Sequence, residues 1–117
     1  YTTFASGGWR NQHYLITRVT TADGKVLYEH KADPWQAISP QVAGMMSAMM
    51  QRTVSEGTAT RAQFGYPAAG KTGTTQNSKD AWFVGYTANL TTGVWFGNDD
   101  NTPMKKVTGG FLPAEAW

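Results

Sequence analysis

Two short runs of the sequence set the strongest condition on its fold. Ala81-Trp82-Phe83-Val84-Gly85-Tyr86-Thr87 and Gly93-Val94-Trp95-Phe96-Gly97 are rich in aromatic and β-branched residues, as strands are. Neither alternates between apolar and polar. Trp82, Val84 and Tyr86 fall on one face of an extended chain, with Ala81, Phe83 and Gly85 on the other. A strand apolar on both faces requires cover on both faces. The turn-like Ala88 to Thr92 between the runs makes them antiparallel neighbours. Trp82, Phe83, Trp95 and Phe96 then read as paired strand residues filling a core.

The cover available is limited. Ser39 suits an N-cap and Pro40 the first helical position. Val42, Met45, Met46 and Met49 follow at i, i+3, i+4 and i+7, which predicts a buried stripe on a helix over 40–55 ended by Gly57. The Met residues are read as packing, not as a soft-metal or partner face. Tyr1 to Ser6 reads as a helix end closed by Gly7-Gly8. A hairpin over about 15–28, turning at Asp23-Gly24, and a loop over 30–40 complete the first half. Strands are expected near 70–76, 80–87 and 92–98. One strong helix and one helix fragment are too little for a sheet apolar on both sides, so part of the fold is expected to lie outside these 117 residues. The start at Tyr1 without an initiator Met and the apolar end at Trp117 fit the same expectation.

Composition removes several functions. There is no Cys, which excludes disulfide scaffolds, cysteine nucleophiles and thiolate metal sites. His13 and His30 are the only histidines, too few for a multi-histidine centre, and both read as loop or hairpin-end residues. The ten Lys and Arg residues are scattered, unlike the basic patch of a nucleic-acid binder. No apolar run is long enough to span a membrane. Asp99, Asp100 and Asn101 lack the spacing of a calcium loop and read as a solvated turn. Asp80 reads as a turn-fixing residue, with interaction with Lys71 as the alternative. No cofactor and no metal are expected.

Two motifs share one lysine. Gly65 to Thr72 spells the phosphate-loop pattern G-x-x-x-x-G-K-T. That pattern works only between a buried strand and a helix start, and neither flank provides one. Lys71-Thr72-Gly73-Thr74 is the better pattern. K-T-G is one of three motifs of β-lactamases and penicillin-binding proteins. On an exposed strand Thr72 and Thr74 point the same way, Lys71 supplies a cation, and Gly73 lets a substrate backbone come close. Alone, such a string also describes an ordinary edge strand facing water.

Its surroundings add to it. Gly57-Thr58-Ala59, Ala69 to Thr75, Asp80 to Thr87 and Val94 to Asp100 occur in this order and at close spacing. The chain resembles the C-terminal part of the transpeptidase domain of class A penicillin-binding proteins. Phe4 to Gly8 and the run from Thr108-Gly109-Gly110 to Trp117 look like the same family. The resemblance implies an α/β (α+β) fold, an antiparallel sheet with flanking helices, of which residues 1–117 are a single incomplete piece. It implies a serine D,D-transpeptidase parent that cross-links peptidoglycan stem peptides through an acyl-serine and binds β-lactams. It implies a membrane-anchored parent at the periplasmic, extracytoplasmic face of the bacterial cytoplasmic membrane, often carrying a glycosyltransferase domain. By the resemblance Lys71 and Thr72 are catalytic, and Thr72, Gly73 and Thr74 bind stem peptide or β-lactam. By the same resemblance the Thr74 N–H is an oxyanion-hole donor.

The family's other two motifs are absent. The residues three beyond Ser6, Ser39, Ser47, Ser55 and Ser78 are Trp9, Val42, Met50, Thr58 and Ala81, so there is no S-x-x-K. The residues two beyond are Gly8, Gln41, Met49, Gly57 and Asp80, so there is no S-x-N. The nucleophile is expected in the missing N-terminal part of the same domain, and the chain alone is expected to be inactive. Open strand edges make a dimer or domain swap of the piece an expectation. A fragment of a serine β-lactamase or β-lactam sensor is the near alternative, and a phosphate-loop nucleotide binder the distant one.

Overall fold

A computed structural model describes residues 1–117. Its centre is a three-stranded antiparallel sheet in the order β5-β6-β7, comprising β5 (Ala69–Thr74), β6 (Asp80–Tyr86) and β7 (Thr91–Gly97). These are the expected strands, shifted by a residue or two. The turn before β7 is closed by the Thr87 N–H donating to the Leu90 carbonyl at 2.9 Å.

The register sorts the side chains. Lys71, Gly73, Trp82, Val84 and Trp95 share one face, while Thr72, Thr74, Ala81, Phe83 and Phe96 share the other. The second face is covered. Phe83 is fully buried and belongs to a cluster with Val54, Ala59, Ala62, Ala68 and Ala114. Trp117 meets the Phe83 ring edge-on at 5.4 Å and donates from Nε1 to the Thr92 carbonyl at 3.1 Å. Ala114 lies on α3 (Leu112–Ala116), a short helix that the sequence reading lacked. Arg61, in the 3-10 turn Thr60–Ala62, ties that turn to α3 through Glu115 at 2.8 Å and lies over the Phe111 ring.

The first face is covered at one end only. Ala69, Tyr86 and Met50 form a second buried cluster, with Phe4 and Met46 against it. Phe4 comes from α1 (Thr2–Ala5), which ends before Gly7 and Gly8 at φ +70 and +99, as expected of a glycine-terminated helix. Toward the other end, Trp82 and Trp95 remain 44% and 43% exposed. The shortage of cover expected from the sequence falls on this face.

The long helix α2 runs Pro40–Ser55, with the Ser39 hydroxyl accepting from the Val42 N–H at 3.3 Å. Its span matches expectation, but its buried stripe does not. Ala43, Met50 and Val54 are buried and Met46 partly so, whereas Val42 is exposed and Met45 and Met49 are 61% and 57% exposed. The helix is apolar on more than one side, and the sheet meets the side carrying Met50 and Val54.

The first half differs from the sequence reading in two further ways. The hairpin comprises β2 (Arg18–Thr20) and β3 (Val26–Glu29), so Tyr14 to Thr17 lies outside its strands. Tyr14 instead stacks on His30 at 3.7 Å between ring centres. The expected loop at 30–40 contains β4 (Trp35–Gln36), paired with β1 (Trp9–Arg10). That ladder joins residues far apart in sequence, and two-residue strands carry no periodicity.

These assignments separate neighbouring residues in a stability measurement. Phe83→Ala should cost about 3–5 kcal/mol and Met50→Ala about 2–5 kcal/mol in urea unfolding. Met49→Ala, one position away, should stay within about 0.5 kcal/mol. Equal losses at positions 49 and 50 would contradict the burial pattern.

The turn after β7 gives a pH prediction. Asp100 accepts from the hydroxyl and N–H of Thr102 at 2.7 and 3.0 Å, and these bonds hold its carboxyl below the usual carboxylate range, the hydroxyl first. A depressed folded-state value means that the turn's contribution is complete above the ordinary carboxylate range. It is lost as pH falls through the lowered value. NMR titration should show Asp100 protonating later on acidification than in Thr102→Val.

Candidate functional site

β5 carries Lys71-Thr72-Gly73-Thr74 and is an outer strand of its sheet. One hydrogen-bonded pair fixes the direction of every backbone group on it. The Thr75 N–H donates to the Asp80 carbonyl at 3.0 Å, and the Asp80 N–H returns to the Thr75 hydroxyl at 2.8 Å. In an antiparallel ladder bonded and non-bonded pairs alternate. Gly73 opposite Trp82 and Lys71 opposite Val84 therefore face the ladder. Thr72 opposite Phe83 and Thr74 opposite Ala81 direct their N–H and C=O groups off the open edge.

Asp80 supports this arrangement as a turn residue. Its carboxylate accepts from Trp95 Nε1 at 3.0 Å and from the Thr75 hydroxyl at 3.2 Å, and it makes no ion pair with Lys71. The turn-fixing reading of the sequence holds.

The site residues approach the edge from different sides. Lys71 is exposed, has no carboxylate partner, and curls so that Nζ donates to the Thr72 carbonyl at 3.1 Å. Gly73 shares its face, and a Cβ there would meet only Trp82 Cβ at 3.5 Å. The chain's own packing thus leaves room beside Gly73. The hydroxyls of Thr72 and Thr74 lie on the opposite face. Thr72 Oγ1 is 2.8 Å from Thr58 Oγ1, and Thr74 Oγ1 accepts from the Gly109 N–H at 3.0 Å.

A strap at Thr108 to Phe111 explains the second of those bonds. It turns back on itself through the Phe111 N–H to the Thr108 carbonyl at 3.0 Å and lies flat on β5 and β6. A Cβ on Gly109 would stand 2.6 Å from the Gly73 oxygen and 2.8 Å from its nitrogen, and one on Gly110 would strike the Thr58 carbonyl. Glycine is required at both positions by close approach. Sequence reasoning singled out neither Thr58 nor Gly109 for a role. Their separation from β5 hides the contacts, and only the small residues of Gly57-Thr58-Ala59 and Thr108-Gly109-Gly110 hint at them.

The phosphate-loop reading of Gly65 to Thr72 does not survive. Gly70, Lys71 and Thr72 lie within β5, and the residues after Thr74 form a 3-10 turn at Gln76–Ser78 instead of a helix N-terminus. His13 and His30 stay with the hairpin and the loop before it, apart from β5. The K-T-G-T residues line none of the principal concave spaces, the largest of which lie beside α1 and α2 and around the hairpin base. The site is an edge and not a pocket.

Comparison with known proteins agrees with this geometry. The family model "Penicillin binding protein transpeptidase domain" matches residues 1–109. Penicillin-binding protein 1F of Bacillus subtilis strain 168 is 37% identical over 83% of this chain and 14% of its own length. Penicillin-binding protein 1B of Escherichia coli K12 is 39% identical over 90% of this chain and 13% of its own. The chain thus spans about one-seventh of the curated relatives it matches. Among solved structures, the D,D-transpeptidase domain of a peptidoglycan glycosyltransferase from Eggerthella lenta superposes with a TM-score of 0.66 at 36% identity, covering 72% of this chain and 21% of that one. Penicillin-binding protein 1A from Haemophilus influenzae gives 0.83 at 22% identity over 96% of this chain and 23% of its own, a likeness of fold. With its antiparallel sheet, its K-T-G-T edge strand and a family match over residues 1–109, the chain belongs to the penicillin-binding protein transpeptidase domain family.

Proposed function

We propose that this chain supplies one wall of a peptidoglycan D,D-transpeptidase cleft, as the C-terminal piece of a single catalytic domain. The observation that carries the reading is the open edge of β5. There an unpaired Lys71 ammonium, two threonine hydroxyls and the outward Thr74 N–H converge beside a glycine with room next to it. Thr72 and Thr74 hold the carboxylate of a stem peptide or a β-lactam. The Thr74 N–H is one donor to the oxyanion that forms when the acyl carbonyl is attacked. The nucleophilic serine comes from a segment preceding these residues. Its oxygen bonds to the acyl carbon as the C–N bond to the leaving amine breaks, and the serine proton passes to that amine. The amine of a second stem peptide then attacks the acyl carbon, the ester C–O bond breaks, and the amine's proton returns to the serine oxygen. Lys71 adds positive charge beside the reacting groups. The relatives found are penicillin-binding proteins, which favours a transpeptidase over a β-lactamase or sensor carrying the same strand.

The parent is a membrane-anchored protein working at the extracytoplasmic face. No helix of this chain is long and apolar enough to cross a membrane. Both outer strands, β5 and β7, lack a second neighbour. Such edges template pairing with another chain, so the piece on its own self-associates. Sedimentation of the isolated chain should show dimers or larger species. A monodisperse monomer at all concentrations would refute this.

Labelled penicillin tests the catalytic reading. The isolated chain should take up no covalent label, and a polypeptide that also contains the preceding transpeptidase segment should be labelled. In that longer protein Lys71→Ala should slow acylation about 100-fold, the scale of losing one electrostatic contributor. Label on the isolated chain, or an unchanged rate for Lys71→Ala, would sink the assignment.

A further inference from the structure

We infer that Thr58, outside the K-T-G-T strand, is a positioning residue that strengthens the recognition of an anion by donating to Thr72 while Thr72 donates to the ligand. The inference rests on the acyl-transfer reading above and concerns how that site recognises a carboxylate.

A threonine hydroxyl has one proton to donate and lone pairs with which to accept. At Thr74 the roles are fixed, because Oγ1 accepts from the Gly109 N–H at 3.0 Å and a backbone amide can only donate. The Thr74 proton has no acceptor within the chain and is left for a ligand. At Thr72 the roles are open. Its Oγ1 lies 2.8 Å from Thr58 Oγ1, and either oxygen can donate. Neither hydroxyl has another hydrogen-bond partner. If Thr72 donates to Thr58, its proton is used and it meets a ligand as an acceptor. If Thr58 donates to Thr72, the Thr72 proton points outward beside that of Thr74.

An anion at the edge decides between the two. A hydrogen bond to a charged acceptor is shorter and stronger than one between neutral hydroxyls. The relay Thr58 to Thr72 to carboxylate also polarises along its length. A neutral ligand gives no such bias. Thr58 is held in place for this. Gly110 packs against its carbonyl so closely that no side chain fits, and the strap carrying Gly110 also carries the Gly109 N–H that orients Thr74. The strap and Thr58 together leave both hydroxyls with protons to give.

The test uses the longer protein containing the preceding transpeptidase segment, with penicillin and its neutral methyl ester as paired acylating agents. In Thr58→Val the ratio of second-order acylation rates, acid over ester, should fall about fivefold, the scale of the one neutral hydrogen bond lost from the relay. The loss should appear in the half-saturating concentration of the acid and not in its limiting acylation rate. Thr58→Ser, which restores a hydroxyl, should recover the ratio. Equal losses for acid and ester would mark Thr58 as merely structural and overturn the inference. So would an unchanged ratio in Thr58→Val, or a Ser variant as poor as the Val variant. A wild-type protein that takes no label from either compound would overturn the acyl-transfer reading itself, and this inference with it.

Discussion

The hydrogen-bonded pair between Thr75 and Asp80 sets what the rest of the site can be. It lies at the end of β5 and fixes the alternation for the whole β5–β6 ladder. A slip of one residue would turn the Thr72 and Thr74 amides into the sheet and present Lys71 and Gly73 backbone groups to solvent. Asp80 locks the register from a second direction, through Trp95 on β7. A carboxylate in the turn thus helps to fix which amides face the open edge. The left-handed conformations of Asn77 and Ser78 permit the tight connection between the strands.

The sheet is asymmetric. Alanines, Phe83, Trp117 and the glycine strap seal the face of the threonines, while the face of Lys71 keeps two half-exposed tryptophans. Only 16 of 117 residues are buried, too few for a chain with this much aromatic and aliphatic side chain to have satisfied its own apolar surface. The open stripe of α2 at Val42, Met45 and Met49 is of the same kind. These residues have the chemistry of a core without its burial. That fits a chain spanning about one-seventh of the relatives it matches.

What could be read from the sequence divides by range. The K-T-G-T strand, the strands after it and the limits of α2 follow from runs, caps and turns within a few residues, and the structure has them close to where they were expected. Of the stripe expected on α2, Val42, Met45, Met46 and Met49, only Met46 turns toward the core, because the helix is apolar on a second side carrying Ala43, Met46, Met50 and Val54 as well. Hydrophobicity ranks Ala43 low, yet it packs deepest because it is small. The β1–β4 ladder and the Thr58–Thr72 bond depend on partners brought together by the fold, and no local pattern marks them. The faces of the site followed the same rule. Strand alternation correctly put Thr72 and Thr74 on one side, but only the strap at Gly109 showed that this side is closed except along the edge.

That closure limits the shape of a ligand that could use all the groups at once. The Lys71 side chain belongs to one face, the Thr72 and Thr74 hydroxyls to the other, and the Thr74 N–H lies in the plane between them. A ligand stacked on the threonine face would meet the strap. A ligand on the lysine face would lie over Trp82 and miss the hydroxyls. An extended backbone lying along the edge, in the position of an added strand, reaches the cation from one side, the hydroxyls from the other and the amide head-on. Gly73, at the middle of that edge, holds no side chain against it. The arrangement thus fits the proposed cleft wall, with an extended peptide ending in a carboxylate along a strand edge that lies outside the principal cavities of this chain.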